Sequence, residues 1–110
     1  MKKIILIRHG QSIYNLENRF TGWKDVDLTD LGRIEAEFSG QEILRNNIKV
    51  NVIYSSLLKR SIETASIVAK SLGYQSSKIK KNWRLNERHY GELQGLNKSE
   101  TAEKFGENQV

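Results

Sequence analysis

Apolar residues fall in short runs along this chain, and each run carries the period of one element. Ile4, Ile5, Leu6 and Ile7 are consecutive, so Lys3 to Arg8 reads as a buried parallel strand, apolar on both faces. Gly10 to Asp30 is polar and turn-rich, with Thr21-Gly22, Asp25 and Asp27, and reads as a long ordered loop of the kind that carries function. Thr29 is an N-cap candidate. Leu31, Ile34 and Phe38 follow at helical spacing and predict a helix to about Asn46, weakened by Gly32 and Gly40. Val50, Val52, Ile53 and Tyr54 mark a second strand, Val50 to Ser55. Ser55 or Ser56 can cap a second helix whose stripe is Leu58, Ile62, Ala65, Ala69 and Leu72, closed by Gly73. Ile79 to Leu85 predicts a third strand, and Asn97 followed by Glu100 resembles a capping box for a short helix ending near Gly106. The order strand, helix, strand, helix, strand predicts an α/β domain with a parallel sheet.

Composition narrows the classes. A chain of 110 residues has room for one small domain, and it contains no repeat, low-complexity segment or linker. The absence of cysteine excludes disulfides and thiolate metal sites and fits a cytoplasmic protein. The apolar run at the start is too short for a signal-peptide core or a membrane span, so it reads as a strand and no membrane partner is expected. Net charge is +5, which suits an anionic ligand. The densest basic run, Lys78-Ile79-Lys80-Lys81, looks like the solvated face of a strand. Nucleic-acid binding would need clustered basic and aromatic residues, and is not expected.

Candidate chemistry begins where the first strand ends. Arg8-His9-Gly10-Gln11-Ser12 places a histidine beside an arginine on a turn loosened by glycine, with Asn15 close behind. Ligands of open α/β sheets bind at the carboxyl ends of strands. Imidazole is a covalent nucleophile, and guanidinium matches phosphate oxygens. Taken alone, the pair also fits an ordinary loop. Arg60 lies in the first turn of the second helix, where free N–H groups and the dipole favour anions; alone it also fits an exposed helix residue. Arg84-Leu85-Asn86-Glu87-Arg88-His89-Tyr90-Gly91 is dense in polar groups, with Glu87 suited to general acid–base work and Arg88 and Tyr90 suited to holding oxygens. A surface loop with a salt bridge would look similar. Lys98 sits near a predicted helix start, where it could share an anion with free amides or simply be solvated.

Together these segments carry a resemblance. Arg8-His9-Gly10-Gln11-Ser12-Ile13-Tyr14-Asn15 resembles the histidine phosphatase superfamily. Asn18-Arg19-Phe20-Thr21-Gly22-Trp23 and the stretch from Leu85 to Lys98 closely resemble the 2,3-bisphosphoglycerate-dependent phosphoglycerate mutases. The resemblance implies a three-layer α/β/α fold with a mostly parallel sheet, of the phosphoglycerate mutase type. It implies His9 as the residue that holds a phosphoryl group, Arg8 and Arg60 as phosphate ligands, and Glu87 as the proton shuttle. It implies a substrate pocket of Arg8, His9, Gly10, Gln11, Ser12, Asn15, Thr21, Gly22, Arg60, Glu87, Arg88, His89, Tyr90 and Lys98. His89 is not the family's second catalytic histidine, and Gln11 and Tyr14 replace the more usual Glu and Trp at non-catalytic positions. The implied reaction interconverts 2-phosphoglycerate and 3-phosphoglycerate in glycolysis and gluconeogenesis, primed by 2,3-bisphosphoglycerate and without metal. Small phosphorylated three-carbon acids are the implied partners, and a homo-oligomer is possible.

The chain stops at Val110, inside the family pattern. An arginine pair and a later strand ending in His-Gly-Asn are missing. The expectation is an amino-terminal half of the domain, its first strand open along one edge, with weak or absent turnover and a tendency to self-associate. Two other readings fit the same residues: a bisphosphoglycerate phosphatase or other histidine phosphatase, and a non-catalytic anion-binding relative.

Overall fold

The computed structural model describes residues 3–100. In chain order they form α1 (Ile13–Leu16), α2 (Asp30–Arg45), β1 (Tyr54–Ser55), α3 (Lys59–Leu72) and β2 (Lys80–Lys81). Single 3-10 turns lie at Ser76–Lys78, Trp83–Leu85 and Gly91–Leu93. β1 and β2 pair in parallel, Tyr54 opposite Lys80 and Ser55 opposite Lys81, with α3 as the crossover. The architecture is an incomplete α/β fold, and α2 packs along α3.

The strands are shorter than the apolar pattern predicts. The expected strand from Val50 to Ser55 is reduced to its last two residues. The expected strand from Ile79 to Leu85 ends after Lys81, because Asn82 accepts the Arg84 N–H and turns the chain into a 3-10 helix. The expected strand from Lys3 to Arg8 does not form. A strand exists by its neighbour's hydrogen bonds, and residues 3–8 have no backbone partner among the described residues. Nor are they buried: Ile4 is 84% and Leu6 86% exposed.

The helices match the predicted spans but not the predicted faces. Thr29 caps α2 through its side chain, which accepts the Gly32 N–H, and the helix ends at Asn46. Its buried residues are Gly32, Ala36, Gly40 and Ile43, whereas Leu31, Ile34 and Phe38 are more than half exposed. Small residues win this face because the Gln11 backbone and the Ser71 side chain come too close for larger ones. A Cβ on Gly32 would lie 2.1 Å from the Gln11 carbonyl oxygen, and one on Gly40 would lie 2.7 Å from the Ser71 Cβ. In α3 the residues buried at intervals of four are Arg60, Thr64 and Val68, with Ala69 beside them. Of the predicted stripe, Leu58 and Ala69 are buried while Ile62, Ala65 and Leu72 are half-buried. Gly73 closes α3 in the left-handed conformation at φ 70°.

The long polar loop is more structured than expected. Ser12 and Asn15 form a capping box that starts α1, and Ser12 bridges Leu28 in antiparallel fashion. Asn97 accepts the Ser99 and Glu100 N–H groups, as its sequence position predicts. The expected helix end near Gly106 lies outside the described residues. Among the described residues no helix is long and apolar enough to cross a membrane.

Candidate active site

Gly10 fixes the position of His9 from behind. Its N–H donates to the Thr64 hydroxyl (3.2 Å), which in turn donates to the Arg60 carbonyl (2.7 Å) inside α3. Only glycine fits there, because a Cβ would lie 2.0 Å from the Gly32 carbonyl oxygen. The turn after residue 8 is thereby held to both α2 and α3.

His9 itself is mostly buried. Its Nδ1 lies 2.7 Å from the Gly10 carbonyl oxygen. A carbonyl only accepts, so Nδ1 carries the proton and the Nε2 lone pair is free. Burial is the main influence on this ring and pulls its pKa below the ordinary 6.5. The bond to Gly10 opposes that shift, Arg60 reinforces it, Glu87 opposes it and Arg8 reinforces it. The ring is therefore neutral near pH 7, with Nε2 as its nucleophilic nitrogen. Nε2 lies 3.9 Å from Glu87 Oε2. With a neutral ring this is a polar approach and not an ion pair.

Arg60 is fully buried and organises what faces His9. One terminal nitrogen donates to the Lys24 carbonyl (2.7 Å). The other donates to the Gly22 carbonyl (2.6 Å) and to Glu87 Oε2 (2.7 Å). Its Nε–H is buried without a partner. An unmet buried donor costs about 1–3 kcal/mol, so this group favours an acceptor such as an anion oxygen. The start of α3 is less open to anions than its position suggests, because the Asp25 carboxylate already accepts the Lys59 N–H (2.6 Å).

An open cavity of about 500 Å³ adjoins His9, lined by Arg8, His9, Gly10, Gln11, Asn15, Glu35, Ser39 and Lys98. Six of the sequence-predicted residues thus meet around one cavity, the cations Arg8 and Lys98 among them. Glu87, held by Arg60, is not part of that lining but approaches His9 directly. The remaining candidates are engaged elsewhere. Ser12 is buried as the cap of α1. Thr21 is buried, and the Gly22 carbonyl is held by Arg60. Arg88 stacks over Tyr90, which packs on Phe20 at 5.2 Å between centroids. His89 accepts the Gly91 N–H and meets the Trp23 ring edge-on.

Two contributors carried no usable signal in the sequence, and a third, Asn86, lay in the polar segment without a role assigned to it. Thr64 looks like any helix hydroxyl, and only its place one turn after Arg60 hints at a role. Glu35, which accepts the Gln11 N–H, reads as a surface acid of α2. Asn86 accepts the Leu57 N–H and so ties the Glu87 segment to the end of β1.

Residues 4–110 match the histidine phosphatase superfamily (branch 1). The chain is 54% identical over 110 residues to a 2,3-bisphosphoglycerate-dependent phosphoglycerate mutase of Hamiltonella defensa subsp. Acyrthosiphon pisum, covering all of this chain and 44% of that protein. It is 53% identical, with the same coverage, to 2,3-bisphosphoglycerate-dependent phosphoglycerate mutase 2 of Bacteroides thetaiotaomicron. The chain therefore spans less than half the length of these relatives. Among solved structures, a mycobacterial glucosyl-3-phosphoglycerate phosphatase in complex with VO3 superposes with a TM-score of 0.81 at 29% identity, over 92% of this chain and 48% of that one.

Proposed function

The chain belongs to the histidine phosphatase superfamily, and from that premise we propose that it is the amino-terminal part of a phosphoglycerate mutase. The observation that carries the reading is the His9 imidazole, with Nδ1 against the Gly10 carbonyl and Nε2 3.9 Å from an arginine-held carboxylate. In the proposed reaction Nε2 takes a phosphoryl group and later gives it to a hydroxyl of the three-carbon acid. As the hydroxyl oxygen bonds to phosphorus, the Nε2–P bond breaks and its electron pair returns to the imidazole. The hydroxyl proton passes to the Glu87 carboxylate. Arg8 and Lys98, which line the cavity beside His9, supply positive charge for the phosphoryl and carboxylate oxygens, without reorganisation at the moment of transfer. These donors suit 2,3-bisphosphoglycerate, which would supply the first phosphoryl group. The cytoplasm is the proposed compartment.

Mutase is favoured over phosphatase by the 53–54% identity to proteins named as mutases. The phosphatases named among the structural neighbours are far more distant, at 28–29%. The test is 31P NMR of the protein with 3-phosphoglycerate and a trace of 2,3-bisphosphoglycerate. Appearance of 2-phosphoglycerate supports the reading. Release of inorganic phosphate in its place overturns it in favour of a phosphatase.

A further inference from the structure

Glu87 is held at both its ends, and the second hold comes from a residue outside the expected site. The Trp23 indole Nε1–H donates to the Glu87 backbone carbonyl at 2.7 Å. Trp23 is the middle residue of the turn whose flanking carbonyls, on Gly22 and Lys24, both accept from Arg60. Arg60 also holds the Glu87 carboxylate. These contacts close a ring: Arg60 to the 22–24 turn, Trp23 to the Glu87 backbone, and the Glu87 side chain back to Arg60. The turn itself cannot drift. The Trp23 N–H donates to Gln94 Oε1 at 2.7 Å, and a Cβ on Gly22 would meet that oxygen at 2.3 Å. The indole is braced edge-on by Trp83 and His89.

We propose that Trp23 is a positioning residue that sets the distance between the Glu87 carboxylate and Nε2 of His9 through its indole hydrogen bond. The inference rests on the proton role of Glu87 proposed above. Glu87 lies in a segment whose nearest regular element is a 3-10 turn of three residues, so its backbone has little stiffness of its own. Arg60 fixes the carboxylate oxygen and Asn86 ties the preceding residue to the end of β1, but neither bond is made to the Glu87 peptide itself. The indole bond is made there. Catalytic groups need placement to within about 0.5 Å, which a two-point hold provides and a one-point hold does not.

The two half-reactions separate this role from a merely structural one. Phosphorylation of His9 by p-nitrophenyl phosphate releases p-nitrophenolate, a leaving group that needs no proton. Transfer from Nε2 to an alcohol hydroxyl needs Glu87 to accept one. Stopped-flow measurements on the full chain, Trp23 against Trp23→Phe, read both steps. The expected result is a burst rate within about twofold of the unmodified protein and a transfer to glycerate slowed about tenfold or more, part of the 10²–10⁴-fold available to general base catalysis. Equal slowing of both steps, or slowing of neither, overturns the inference. The indole resonance that vanishes in Trp23→Phe gives a second reading by 1H–15N NMR, independent of turnover. It should show slowed hydrogen exchange, and exchange as fast as a free indole overturns the inference even in an active protein. A missing burst in the unmodified protein, with the indole protected, counts against the phosphohistidine reading instead.

Discussion

Replacing Gly32 by alanine gives opposite answers from helix propensity and from this structure. Gly32 lies inside α2, where alanine should gain at most about 1 kcal/mol over glycine. The structure leaves no room for the methyl group. The new Cβ would sit 2.1 Å from the Gln11 carbonyl oxygen and 2.8 Å from the Gln11 nitrogen, both backbone atoms that cannot rotate away. Overpacking costs about 1–3 kcal/mol and sometimes more, and a clash with main chain belongs at the upper end. Relief requires moving residue 11, whose carbonyl accepts the Thr29 N–H and whose side chain accepts the Thr29 hydroxyl. The net result is a loss of about 2 kcal/mol, about 3 from overpacking less about 1 from propensity. For a domain of this size that lowers Tm by about 8–16 °C. Urea denaturation followed by far-UV circular dichroism measures it. A variant as stable as the parent, or more stable, refutes the close approach of α2 to the His9 turn.

Arg60→Met leaves the Gly22 and Lys24 carbonyls and Glu87 without their shared donor, and should destabilise the fold by about 2–4 kcal/mol in the same urea assay. Stability within about 0.5 kcal/mol of the parent would contradict the network. Since burial holds the His9 pKa below 6.5, its phosphorylation rate should stay level as pH falls to 6.5 and drop only below it, and an acid limb centred above 6.5 argues against a neutral nucleophile. The same shift affects stability. The unfolded chain binds the proton more readily, so His9's share of stability is complete above 6.5 and is lost as pH falls toward the folded-state pKa. Tm of the parent should therefore fall more steeply than that of His9→Gln between pH 7 and pH 5. In a chain of the relatives' full length, Glu87→Gln should slow phosphoryl transfer by about 10²–10⁴-fold while keeping the Arg60 contact and the fold, and unchanged transfer would remove Glu87 from the chemistry.

Much of the site was legible because its residues sit next to punctuation. Arg8-His9-Gly10 follows an apolar run, Arg60 follows a strand end, and Thr29 and Gly73 mark helix limits that the structure reproduces. Faces and strand lengths were less legible, because they depend on neighbours. Leu31, Ile34 and Phe38 have helical spacing, yet the contact went to Gly32, Ala36 and Gly40, whose only qualification is smallness. Ile4 to Ile7 have the composition of a strand, but composition supplies no hydrogen-bond partner, and these residues are left exposed. Thr64 and Glu35 were invisible for a third reason, which also left Trp23 without a role although it lies in a motif that carries the resemblance. Each acts through a contact with the backbone of a residue distant in sequence, and such contacts leave no periodic trace.

The central claim is that Nε2 of His9 accepts a phosphoryl group. It is tested most directly by exposing the protein to radiolabelled 2,3-bisphosphoglycerate and mapping acid-labile, base-stable phosphate by peptide sequencing. The account predicts label on the peptide containing His9, abolished by His9→Gln and retained in His89→Gln. Label on His89, or acid-stable label on a hydroxyl in place of the imidazole, would contradict it.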